Sequence, residues 1–405
     1  MLDVRSFGAV GDKVADDTAA ILACIASAKA QVAANKAPAV VYLPAGDYRF
    51  TGTLTLGHKI AMVGEGRWSS RLWLDASLGA GVPAIRLDDP AVSSFQHGNG
   101  IRGIGLNCQG KAEVGVYAAN VNEGGGLSDC MVLDWTLYGF HAGGITCLNY
   151  LINDCEIYST RGDTPGKIAV YIDRGNHTLG INHVTTQCHL NGGTGVSAGS
   201  VGIMYAPGST AGSDADVNSA LITNCHFEAC EDGVQVYQGR AKIINCDGWT
   251  DVANTVHWTN RGYGSCEVVS CRNTGGVPVK DSTARAKARS ANAADPLRLY
   301  VEEPIGGVAN LYYTDPYYPQ AAGKNRTILT MTGTPNASGL ITIPHTLGYS
   351  PLFVFPNCDA GPGANAGKRV TVHSRSATAI VLQVFDALGA VSKAGAIRVW
   401  VDVAL

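Results

Sequence analysis

The chain is 405 residues long, 46% hydrophobic and 16% charged, with a formal net charge of −3. This composition supports a large core and two or three domains and excludes a disordered chain, while the near-neutral charge gives no electrostatic footprint for nucleic acid. No apolar run approaches the ~20 residues that span a bilayer, so neither nucleic acid binding nor membrane insertion is expected.

The opening, Met1-Leu2-Asp3-Val4-Arg5, lacks an apolar h-region, and no cleaved leader is expected from it. Asp16, Asp17 and Thr18 supply cap oxygens and negative charge, and the Ala-rich run after them predicts a helix from Asp17 to about Ala34. Short strands punctuated by Gly and Pro follow over 40–48, 54–56 and 60–66. A solenoid exposes apolar ends, so residues 1–36 are expected to cap the first coil. The phrases FGAVGD, DDTAAI, LPAGDY and GEG in this opening resemble the start of the pectate-lyase-like right-handed β-helix superfamily. That resemblance implies a β-helix and action on polysaccharide, as in pectin-active enzymes and in the tailspikes and depolymerases of bacteriophages. Two positions depart from the pattern, with Lys13 where the family usually has Gly and Ala15 where it has Thr. Both are expected to lie in the cap, away from any groove.

From Ile101 to Asn273 a polar residue followed by Cys keeps returning: Asn107-Cys108, Asp129-Cys130, Asp154-Cys155, Gln187-Cys188, Asn224-Cys225, Asn245-Cys246 and Ser270-Cys271. Successive Cys lie 22, 25, 33, 37, 21 and 25 residues apart, the drifting period of solenoid coils that accept loop insertions. Apolar alternation around each Cys predicts a strand with its thiol inward, and the short runs downstream leave no room for a helix. The expected fold is therefore all-β, a parallel β-helix over residues 37–280. Equivalent residues on adjacent coils stand ~4.8 Å apart, more than the ~3.8 Å between Cβ atoms that a disulfide wants. No zinc-type Cys/His spacing occurs, so a column of buried free thiols is expected, with no metal and no cofactor. Thiols of this kind fit assembly in a reducing compartment.

Residues 281–324 read as a linker, rich in Ala, Lys and Arg and then in Tyr and Pro. Residues 325–405 hold about six alternating strands and predict a small C-terminal β-sandwich. The phrases GLITIPHTLGYSP and AIRVWVDVAL in this segment resemble C-terminal domains of phage tail proteins, which are related in fold to small trimeric lectins. This implies a module for trimerisation or glycan binding, hence a homotrimer, and leaves His345 as a turn residue.

With Cys inward, its neighbours should face out and stack from coil to coil. The column after Cys includes Glu156, His189, His226 and Asp247, and the next outward column includes Tyr158, Glu228 and Trp249. Glycoside cleavage needs two carboxyl groups ~5 Å apart for retention or ~6.5–9.5 Å for inversion, which coil spacing supplies as one-coil or two-coil pairs. Glu228 is one coil from Asp247 and two from Glu156. Lyase chemistry instead needs a base and a group that neutralises a uronate, roles open to His189, His226, Tyr158 and Arg174. The catalytic candidates are thus Glu228, Glu156, Asp247, His189 and His226. Tyr158, Trp249, Tyr171, Asp173 and Tyr237 are candidates for holding sugar, through aromatic faces and hydrogen bonds. Long turns near 161–167, 192–200 and 207–216 should wall the groove.

These readings combine into a tailspike-type depolymerase that cleaves a bacterial surface polysaccharide (capsule, exopolysaccharide or O-antigen) by hydrolysis or β-elimination. Its place would be the virion tail, made in the host cytoplasm and acting at the bacterial cell surface. A non-enzymatic receptor-binding fibre or adhesin on the same architecture competes with it, as does a cellular pectin-active lyase.

Overall fold

In a computed structural model the chain is a right-handed parallel β-helix with one capping helix, followed by a small antiparallel β unit. The structure describes residues 1–281 except 93–94, 163, 174–175, 191, 194, 207–218, 238, 250 and 259–263. Beyond these it describes 298–302, 313–315, 326–344, 353–359, 369–376, 379–385, 390–391 and 397–404. The chain divides into two compact units, one of residues 1–297 with 302–306 and the other of residues 298–301 with 307–405.

The helix runs Thr18–Asn35 and buries Ile21, Cys24, Ile25, Ala28 and Val32, a stripe at helical spacing. Its N-terminus differs from the expected cap. The Asp17 side chain makes no cap bond; it turns back to accept the backbone N–H of Val10 at 2.6 Å and of Gly11 at 3.2 Å, tying down the FGAVGD loop. Asp16 takes the N–H of Thr18 instead, at 3.0 Å.

Each coil lays one strand on each of three parallel sheets. In the first sheet the inward column runs through Val41, Met62, Ile101, Leu127, Ile152 and Ile181 to Ile222, Ile243 and Val268, all buried. β-branched and long aliphatic side chains fill such a core because each pleat presents alternate residues to it. Between the first and second sheets the chain turns a corner at one residue in the left-handed region: Asp129, Asp154, His183, Asn224, Asn245 and Ser270, with φ between 51° and 54°.

These corners correct the reading of the Cys ladder. At five of the seven repeats the polar residue before Cys does not face outward along a strand; it makes the corner, and the Cys after it points inward just past the bend. Cys130, Cys155, Cys225, Cys246 and Cys271 occupy that place, whereas registers Gly105↔Met131 and Glu156↔Thr185 put Ile104 and Val184 there in the other two coils. Cys108 and Cys188 lie four residues further on. An even displacement preserves inward parity, so all seven thiols are buried even though two are out of column.

In the second unit, Tyr313–Asp315, Arg326–Gly333, Ile397–Ala404 and Phe353–Asp359 form one antiparallel sheet. Leu340–Pro344, Ala379–Phe385 and Arg369–Arg375 form a second. Ile341, Ile343, Ile380, Leu382 and Val384 are buried and alternate with more exposed positions. Most of the 281–324 linker and His345 fall outside the described residues.

Candidate functional site

The outward face of the second sheet carries two parallel columns. One runs Glu156, Thr185, His226, Asp247 and Arg272, and its neighbour runs Tyr158, Gln187 and Glu228. The Trp249 N–H donates to the Phe227 carbonyl at 2.9 Å, which extends the second column by one coil.

His226 is the centre of the cluster. Its Nδ1 lies 2.7 Å from an Asp247 oxygen one coil on, and its Nε2 lies 2.8 Å from Glu228 Oε1 on its own strand. Glu228 Oε2 accepts the Gln187 amide at 2.7 Å, and Gln187 Oε1 meets His189 Nε2 at 3.2 Å. Burial works against a charged His226 ring, but the hydrogen bonds to Glu228 and Asp247 outweigh it and raise its pKa above the ordinary value. The second ring proton, which an ordinary imidazolium gives up near neutrality, is held more tightly here by the two carboxylates. Arg272 stands 4.0 Å from Asp247 with its side chain 59% exposed. Trp249, 51% exposed, lies edge-to-face with the His226 ring, centroids 6.0 Å apart, which puts a half-exposed indole beside the cluster.

Of the sequence candidates, then, His226, Glu228 and Asp247 come together, with Trp249 beside them. His189 does not share the His226 column as expected, because Thr185 fills that place; it reaches the cluster only through Gln187. Glu156, two coils from Glu228, is turned to Arg67, 3.3 Å away. The Arg67 guanidinium also donates to the Asp154 carbonyl at 2.5 Å, and its backbone carbonyl lies so close to Gly105 that a Cβ there would collide with it. Tyr158 shares the Glu228 column two coils earlier, and its phenol is pushed up by burial and by Asp134 and Glu156.

Tyr171, Asp173 and Tyr237 belong to the third sheet, a different face from the cluster. Tyr171 stacks on His141 at 4.9 Å and 16° and lies against Tyr138 at 4.9 Å, so its ring packs among its own neighbours; Asp173 is 3.8 Å from His141. The sugar-holding candidates thus occupy two faces, Tyr158 and Trp249 on the second sheet and Tyr171, Asp173 and Tyr237, from a later strand of each coil, on the third. Arg174 lies outside the described residues.

The turns 160–167 and 189–200 follow the second-sheet strands and are stitched to each other. Lys167, fully buried, donates to the carbonyls of Arg161 and His189 at 2.6 Å each. Ser197 Oγ donates to the Thr164 carbonyl at 3.0 Å, and the Gly166 N–H to Ala198 O at 2.8 Å. The third expected wall, 207–216, lies outside the described residues.

Gln187 and Arg272 were not singled out from sequence. Gln187 is visible as the residue before Cys188, but a reading with Cys188 in the ladder places it two outward columns away from Glu228.

Comparison with known proteins adds three findings. A protein of Geobacillus virus E2, ORF18, shares the fold, with a TM-score of 0.61 at 18% identity over 95% of this chain and 76% of that one. The mannuronan C5-epimerase AlgE1 of Azotobacter vinelandii is 44% identical over 71 residues, 16% of this chain and 5% of the epimerase. The chain thus matches only a small part of the length of these curated relatives. The family described as rhamnogalacturonase A/epimerase, pectate lyase-like, matches residues 1–257, and with well over half its length matched, this chain belongs to that family.

Proposed function

We propose that the chain is a tailspike-type depolymerase, a homotrimer at the tip of a virion tail that binds and cleaves an acidic polysaccharide on the bacterial surface. The observation that carries the reading is the carboxylate–imidazole–carboxylate bridge of Glu228, His226 and Asp247 on an outward sheet face beside the half-exposed indole of Trp249. Family membership, and relatives named for a uronate polymer, support a polysaccharide substrate. The fold shared with a viral protein fits a viral setting, and the ten free buried thiols among the described residues fit synthesis in a host cytoplasm.

The bridge favours β-elimination over hydrolysis. A hydrolase of the two-carboxyl kind needs one carboxyl to keep its proton as general acid. Here the hydrogen bonds to Glu228 and Asp247 favour the protonated His226 ring, and both carboxylates are engaged as its acceptors rather than free to serve as a general acid. Glu228, held by Gln187 and His226, then acts as base toward the proton on C5 of a uronate. As the C5–H bond breaks, its electrons form the C4=C5 double bond and the C4–O bond breaks; the proton taken by Glu228 leaves with the departing oxygen. Arg272 faces the uronate carboxylate and Trp249 stacks on the pyranose. Incubation with purified capsular and exopolysaccharides tests this. Reducing ends together with unsaturated-uronate absorbance support the reading, reducing ends alone point to hydrolysis, and binding without either product points to an adhesin.

A further inference from the structure

His189 stands among the expected catalytic residues, yet its one side-chain hydrogen bond among the described residues runs from Nε2 to Gln187 Oε1 at 3.2 Å, and its Nδ1 is buried without a partner. The residue is anchored from behind. Its backbone N–H donates to the Ser159 carbonyl at 3.0 Å, its carbonyl accepts from the fully buried Lys167 ammonium at 2.6 Å, and it bridges to Val196 across its own turn. The stitched turns 160–167 and 189–200 thereby fix the place from which His189 reaches Gln187. Gln187 in turn stands between Tyr158 and Glu228 in one column, because the insertion that moves Cys188 out of the thiol ladder brings Gln187 into register with Glu228.

Hydrogen-bond chemistry orders the protons along this chain. Glu228 meets His226 at 2.8 Å through one oxygen and Gln187 at 2.7 Å through the other, so the Gln187 NH2 faces Glu228 and the Gln187 oxygen faces His189. That oxygen needs a donor, which places the His189 ring proton on Nε2. A proton on Nδ1 instead would be buried without an acceptor and would set the bare Nε2 lone pair against the amide oxygen. We propose that Gln187 is a positioning residue that fixes the pose of Glu228, and that His189 acts only through Gln187, as the donor that keeps the amide from turning over. This rests on the catalytic reading of Glu228 above and takes His189 out of the reacting groups. The charged and titratable groups around the chain are Asp247 against His226, Arg272 beyond Asp247, Tyr158 one coil before Gln187, Glu156 held by Arg67, and Lys167 behind His189.

The test compares Gln187→Leu, His189→Phe, His189→Gln and the double variant Gln187→Leu/His189→Phe by two readouts. One is the His226 midpoint from nuclear magnetic resonance titration of the free protein; the other is kcat and KM on a polysaccharide that the wild-type protein cleaves. A carboxylate that loses the Gln187 donor holds the His226 proton more tightly. Gln187→Leu and His189→Phe should therefore each raise the His226 midpoint by about half a pH unit or more. Each should also lower kcat about tenfold or more with KM little changed. His189→Gln keeps an N–H donor at the place of Nε2 and cannot titrate, so it should restore most of what His189→Phe loses in both readouts. The double variant should be no worse than Gln187→Leu, because His189 acts through that residue. An unmoved His226 midpoint in Gln187→Leu, His189→Gln as impaired as His189→Phe, or losses that add in the double variant overturn the proposal. The midpoints need no substrate, so shifted midpoints with no polysaccharide cleaved keep this inference and refute the catalytic reading.

Discussion

His226 holds its proton between Glu228 and Asp247, and two expectations follow at the scale of this residue. Its folded-state pKa lies above the unfolded value of 6.5, so its protonation stabilises the fold fully below that value, and the contribution fades as pH rises through the folded pKa. Nuclear magnetic resonance titration should give His226 a midpoint above 6.5, and His226→Gln should flatten the fall of Tm across that window. A midpoint at or below 6.5 would remove the proton from the bridge. Much of the cluster was legible in the sequence, because His226, Glu228 and Asp247 flank Cys225 and Cys246, which are in column. Gln187 and His189 were not, because an insertion-bearing coil can shift its register by four residues without changing which side chains face inward.

At the scale of the element, the corners decide the register. Asn224 and Asn245 adopt φ near 54° and 51°, and their amides link coil to coil: Asn245 donates to Asn224 at 2.8 Å and Asn224 to Asn182 at 3.0 Å. Asn tolerates the left-handed region and can bridge adjacent coils, whereas a β-branched side chain there clashes with its own backbone. Asn224→Val should cost roughly 1–2 kcal/mol, and Asn224→Gly clearly less, measured by urea unfolding. Equal costs would mean that the amide ladder, not the backbone, sets the choice. The column of polar residues before Cys was apparent in the sequence; its role as a bend was not, since Asp, Asn and Ser also fit an outward strand position. Strand existence in both units was legible from alternation, and so was the place of Tyr171 and Asp173 on a later strand of their coil; which face that strand joins depends on where each turn returns the chain, which no local pattern records.

For the whole molecule, the proposed homotrimer predicts a threefold mass in sedimentation, weakened when residues 325–405 are removed; a monomer at micromolar concentration contradicts it. The central claim is that Glu228 and its bridge perform chemistry on a polysaccharide, and Glu228→Gln tests it most directly. The amide keeps the size and most of the hydrogen bonding of the side chain while removing its capacity as a base. On a polysaccharide that the wild-type protein cleaves, the account predicts a loss of about 10²-fold or more in turnover, with unsaturated products falling in parallel and the unfolding transition little changed. Turnover equal to wild type in Glu228→Gln would contradict it and move the chemistry to another face of the solenoid.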